Sequence, residues 1–174
     1  MISQVARSTL LAAAIAFSSS VFMSARAEDS EKNLPALAAA LRDAKVNLGD
    51  GLKASAREGK PVSAKFEVDD GKLQLSVYTV KADGFAEVVI DPKTGTIAKA
   101  EKITDAEDLD AAATQKAAME KATTSLSAAT QKAVMANAGY QAVSVTPKMK
   151  EGHPTADITL LLGEAAKKIT EKLD

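Results

Sequence analysis

Apolar side chains occupy every second position at Val62, Ala64, Phe66 and Val68, and the spacing returns at Leu73, Leu75 and Val77. A period of two predicts strands with one buried face. The intervening Asp69-Asp70-Gly71-Lys72 carries Asp-Gly, a strong signal for a tight hairpin turn, so 64–81 is expected to form one hairpin. A third run, 85–90, carries Ala86, Val88 and Ile90 on one face and should pair next. In Asp91-Pro92-Lys93-Thr94-Gly95, proline fixes φ and glycine accepts the left-handed region, which suits a type I turn with a bulge. The returning strand is then 96–102.

Upstream, Leu34, Leu37, Ala38 and Leu41 recur at helical spacing, with Pro35 in the first turn. Asn47 and Asp50 have capping-box spacing ahead of a second stripe, Leu48, Leu52, Ser55 and Ala56, although Gly49 and Gly51 lower helix propensity. Downstream, 104–122 is rich in alanine and charge. Thr104 and Glu107 have capping-box spacing there, and Leu109, Ala112, Ala113 and Met119 form a thin apolar side.

From Ser125 the first pattern returns. Leu126, Ala129, Ala133 and Val134 make a helical face, Asn137-Ala138-Gly139 closes it, and Tyr140, Ala142, Val143 and Val145 begin strands. Glu151-Gly152 stands where Asp70-Gly71 stood, and Ala156, Ile158 and Leu160 alternate as Leu73, Leu75 and Val77 do. Equivalent points are 78 apart at Leu48/Leu126, 81 at Gly71/Gly152 and 83 at Asp91/Asp174. This spacing reads as an internal duplication with small length changes. Propensity favours helix over 164–173, but the duplication aligns it with 85–91 and so predicts a strand. The second copy then lacks a closing strand, and the sheet offers an edge there.

The start of the chain has a different character. Arg7, an apolar run from Leu10 to Phe17, three serines and Ala25-Arg26-Ala27 describe a secretory signal peptide cleaved after Ala27. An apolar run that short spans too little of a hydrocarbon core about 30 Å thick to act as an anchor. Cleavage would remove Arg7 and Arg26 and no acid, moving the formal net charge from −1 to −3. Such a balance gives no basic face for nucleic acid. The absence of cysteine excludes disulfides, thiol chemistry and thiolate metal sites. With no Trp, four Phe and two Tyr, the core must be aliphatic.

A helix opening at Val46-Asn47-Leu48, a strand, a second strand with Val77-Tyr78, the step Ile90-Asp91 and the turn Thr94-Gly95 together resemble the PepSY domain family. The match covers about 46–102. The copy at 125–174 departs from it, with no Thr-Gly turn and Thr159 at the Tyr78 position. The resemblance implies an α+β fold of tandem repeats, each a helix packed on an antiparallel three- to four-stranded sheet. It also implies export and a role in inhibiting peptidases or modulating envelope proteins. The motif transfers no catalytic residue. On this reading the chain divides into a signal peptide at 1–27 and an N-terminal amphipathic helix at 28–45. A first PepSY-like repeat at 46–103, a helical connector at 104–124 and a divergent second repeat at 125–174 follow.

Candidate chemistry is sparse. His153, the only histidine, stands beside Gly152 and Pro154 in a hairpin turn with no evident partner for base catalysis. Neither a nucleophile elbow nor a zinc ligand set is visible. Asp69-Asp70 and the group Asp105, Glu107, Asp108 and Asp110 are candidates for a hard cation, but they read first as hairpin and helix-start chemistry. Tyr78 and Phe85 form either a recognition patch or core. The edge at 164–173 could accept an extended peptide, although Lys167, Lys168, Glu171 and Lys172 are charges of the kind that guard edges. The expectation is a non-enzymatic periplasmic or secreted protein without catalytic, cofactor or metal site. It would bind an envelope or secreted protein, a peptidase being one candidate, with no nucleic acid and no stable membrane insertion. The alternative is a small-ligand or cation-binding module using the groove between repeats.

Overall fold

In the computed structural model, which describes residues 34–174, four helices accompany one antiparallel sheet. The expected signal peptide, its expected cleavage point and the lead-in to Asn33 lie outside the described residues. The helices are α1 (Leu34–Leu41), α2 (Leu48–Ser55), α3 (Ala106–Lys121) and α4 (Leu126–Met135). The strands are β1 (Lys60–Asp69), β2 (Lys72–Lys81), β3 (Gly84–Ile90), β4 (Ile97–Lys102), β5 (Gln141–Lys150), β6 (His153–Leu162) and β7 (Ala165–Lys172). Their order is β4-β3-β2-β1-β5-β6-β7, so β4 and β7 are the edges.

The turns set this register. Asp70 and Gly71 have φ of 47° and 74°, and Glu151 and Gly152 have 53° and 87°, the double left-handed step of a two-residue hairpin. Gly95 (φ 73°) closes the Asp91 turn, where the Asp91 carboxylate accepts from the backbone of Lys93 and Thr94. Each first strand carries a bulge, one between Pro61 and Ser63 and one between Ala142 and Ser144. Pairing is offset alike on either side of the β1–β5 seam. Ala64 faces Val77 and Val77 faces Val88; 81 positions on, Val145 faces Ile158 and Ile158 faces Ile169.

Three expectations change. The sheet is continuous: β1 pairs with β5 at Ala64↔Val145 and Lys65↔Ser144, so a single seven-stranded sheet replaces two separate ones. The spacing does not drift to 83, because Leu75↔Ile90 corresponds to Ala156↔Glu171, which makes Lys172 rather than Asp174 the counterpart of Asp91. Helix α3 is capped by Asp105, not Thr104: the Asp105 carboxylate accepts from the N–H groups of Glu107 and Asp108 at 3.0 and 3.2 Å. A carboxylate one residue further on reaches two of the free donors of the first turn, and its charge suits the helix start. In that helix Ala112, Ala118 and Met119 are buried, whereas Ala113 is exposed.

The core lies under α2 and α4. One sheet face carries Ala64, Phe66, Leu75, Val77, Val88, Ile90, Val145 and Ile158, all buried, and Leu48, Leu52, Leu126, Ala129 and Ala133 join the same cluster. Gly51 explains why a helix that short tolerates glycine: a Cβ there would sit 2.3 Å from Leu75 Cδ2. Helix α3 begins and ends at one end of the sheet. Ile103 N donates to Phe85 O at its start, and the backbone N–H groups of Thr123 and Thr124 donate to Leu173 O at its finish. Leu173 itself is fully buried. The stretch 164–173 is a strand up to Lys172, as the duplication predicts against propensity.

Candidate functional site

Helices α2 and α4 approach through their first turns. Asn47 caps α2, with its side chain accepting from Asp50 N at 3.0 Å and the Asp50 carboxylate accepting from Asn47 N at 2.9 Å, the reciprocal box the sequence predicts. Ser125 caps α4 by accepting from Ala128 N at 3.2 Å. A Cβ on Gly49 would come within 3.6 Å of Ser127 Oγ, so the two helix starts nearly touch.

A groove of about 860 Å³ runs along this junction. Leu48, Leu52, Leu126, Val134, Pro61 and Met119 supply its apolar wall, and Met135, 77% exposed, stands on its lip. Half of the lining residues carry polar side chains, although the exposed wall is mainly apolar. Lys53, Lys60 and Gln131 line it, and neither lysine has an ion pair among the described residues. Among the described residues Asp50 is the single acid of the lining, and its carboxylate serves the capping box. Thr130 is 5% exposed, and its hydroxyl oxygen is buried without a hydrogen-bond partner. It occupies the place on α4 that Leu52 holds on α2, 78 positions earlier.

The other sheet face is polar. Burial raises the Glu67 carboxyl, but the Lys65 ammonium at 2.6 Å and hydrogen bonds from Ser76 and Gln74 outweigh it and hold Glu67 below its ordinary value. Asp157 behaves alike: burial raises it, yet Lys148 at 2.6 Å, Thr170 at 2.8 Å and Lys168 at 3.0 Å lower it overall. Both carboxylates are saturated with partners from their own and adjoining strands, an arrangement for holding strands in register rather than for moving protons.

No family model, curated protein or solved structure matches the chain. Its own residues are therefore the ground for any function.

The residues singled out in the sequence do not converge. His153 is exposed at the start of β6, and its Nδ1 lies 2.5 Å from Asp174 Oδ2, an isolated surface pair. Asp69 and Asp70 sit at the β1–β2 turn, while Asp105 and Asp108 sit at the head of α3. Among the described residues no group of three His, Cys, Asp or Glu side chains is placed to hold a metal ion. Tyr78 is half-buried against the core and donates from its hydroxyl to Asp108 at 3.2 Å; Phe85 is half-buried on β3. No helix of the described residues is long and apolar enough to cross a membrane.

The expected edge at 164–173 is present as β7, whose outer side pairs with no strand among the described residues. Three of its four charged guards fold back onto the protein. Lys167 reaches Asn137 at 2.6 Å, Lys168 reaches Asp157, and Glu171 pairs with Lys132 at 2.6 Å. Sequence reasoning did not find Lys53, Lys60 or Thr130, because each looks like ordinary surface or core until α2 and α4 are set side by side.

Proposed function

We propose that this is an exported, non-enzymatic binding protein built from two PepSY-like copies, which restrains another envelope or secreted protein through the edge strand β7. A peptidase is the first class of partner to test. Support for two copies comes from the shared 81-residue offset of bulges, turns and strand pairs, and from N-caps 78 apart at Asn47 and Ser125. The observation that carries the binding role is the open backbone ladder of β7, with Lys167, Lys168 and Glu171 turned onto their own fold instead of blocking the edge.

The test uses the chain from Glu28 as bait against envelope extract, compared with an Ala166→Glu/Lys167→Glu variant. Both sites are exposed, and the change removes the hydrogen bond from Lys167 to Asn137 at the protein surface. Capture of one protein by wild type, its absence with the variant and protection of β7 amides in hydrogen exchange support the reading. Equal capture by both proteins, or none by either, overturns it.

A second reading, a small-ligand module, is favoured by the groove between α2 and α4. Its size lies within the ligand-pocket range of about 300–1,000 Å³, and its mainly apolar wall is interspersed with polar side chains.

A further inference from the structure

We infer that the α2–α4 groove binds a single-chain amphiphile with an anionic head, a long-chain carboxylate in the simplest case. The inference rests on the small-ligand reading and gives it a chemistry.

Three observations point the same way. First, the wall made by Leu48, Leu52, Leu126 and Val134 is continuous with the exposed thioether of Met135, so an aliphatic chain can lie along it and bury apolar surface from both partners. Second, the lining carries more positive than negative charge, although the Glu120 carboxylate, itself bonded to Lys116, lies near enough to Lys60 to feel it. Lys53 and Lys60 have no ion pair among the described residues, and Asp50, the single acid in the lining, already accepts from Asn47 N. With two lysines in the lining and its acid already engaged in the capping box, a carboxylate is favoured and a cation is not. Third, Thr130 carries a buried hydroxyl with no partner, where the corresponding position of α2 is Leu52. A fold optimised for packing alone would keep an aliphatic side chain at such a site, since an unsatisfied buried hydroxyl costs about 1–3 kcal/mol. Threonine in a helix has two accessible χ1 wells, and rotation exchanges its methyl and hydroxyl, so Oγ1 can turn to a ligand oxygen once the groove is filled.

The carboxylate is assigned to the ammonium groups of Lys53 and Lys60, and the chain to the aliphatic wall. A neutral alcohol of the same length would use the wall alone, and a quaternary ammonium amphiphile would meet the lysines unfavourably.

The experiment measures displacement of a fluorescent fatty acid from the chain beginning at Glu28 by palmitate, hexadecanol and hexadecyltrimethylammonium. Palmitate should compete at least about tenfold better than hexadecanol, the expectation for one charge-assisted pair, and the cation should compete worst. Lys53→Glu/Lys60→Glu should weaken palmitate about tenfold or more and leave hexadecanol nearly unchanged. Thr130→Val, close in shape and lacking the hydroxyl, should keep or raise the melting temperature while weakening palmitate a few-fold. Ala56→Trp, at an exposed lining position, should block every chain while the fold stays intact by circular dichroism. Equal binding of palmitate and hexadecanol, or palmitate binding indifferent to the lysine changes, overturns the anionic head and leaves the groove reading standing. Absence of binding by all three chains overturns both.

Discussion

The two halves of the sheet, β4 to β1 on one side of the seam and β5 to β7 on the other, solve the same packing problem with different residues. In the first half Gly51 on α2 makes room for Leu75 on β2. At the corresponding positions of the second half stand Ala129 on α4 and Ala156 on β6, both buried. A small helix residue faces a large strand residue in one half, and two alanines share the space in the other. The sums differ, since glycine and leucine together carry four side-chain carbons and two alanines carry two, so the helix–sheet contact is filled differently in the two halves. A glycine that weakens helix propensity locally is what allows α2 to sit down on the sheet.

That contrast is most directly broken by substitution at Leu75. Leu75→Ala should cost about 2–5 kcal/mol through the cavity it leaves, read as a lower urea midpoint at unchanged m. Gly51→Ala should cost about 1–3 kcal/mol by overpacking. The double variant recreates the alanine pair of the second half, and its cost should fall short of the sum by about 1 kcal/mol or more. Strict additivity would show that Gly51 and Leu75 do not share a volume.

The caps give a smaller difference. Asn47 belongs to a reciprocal box with Asp50, whereas Ser125 makes a single bond to Ala128 N. Asn47→Ala and Ser125→Ala should each destabilise by about 0.5–2 kcal/mol, with Asn47→Ala the larger. The reverse order would locate the weaker helix start in the first half.

Smallest is the acid response of the polar face. Glu67 and Asp157 are held below their ordinary values of 4.5 and 3.8 in the folded chain. The sign follows: the unfolded chain takes up their protons at higher pH, so their contribution is full above those ordinary values and is lost as pH falls through the folded ones. Urea midpoints followed down to about pH 3 should drop over that interval. Glu67→Gln and Asp157→Asn should each flatten part of the drop, one from each half. Midpoints that stay level over that interval would show that the two carboxylates make no such contribution.

Much of this architecture is legible in the order of residues. Asp70-Gly71 and Glu151-Gly152 announce two hairpins, because tight turns demand left-handed backbone and little else supplies it. The strand β7 is legible only through correspondence with the first half, since its Glu, Ala and Lys favour helix locally and neighbouring β6 decides the outcome. Thr104 and Asp105 compete as caps one position apart, a contest settled by which acceptor reaches the free N–H groups. The seam was not legible, because Ala64 and Val145 are small and apolar and alternation says nothing about which strand lies beside them. A groove between the copies was expected, but its lining was not: nothing in the sequence sets Lys53, Lys60 and Thr130 around one space.

The seam also bears on how the chain must be made. Strand β1 is covered on its outer side by β5 alone, and the chain between them runs through β2, β3, β4, α3 and α4. During synthesis the first four strands can pair before β5 emerges, and they then present an open, apolar-backed ladder to the surroundings. A protein truncated before β5 should consequently be prone to self-association. In the whole chain, the tether supplies β5 at high effective concentration, so that pairing within the molecule outruns pairing between molecules.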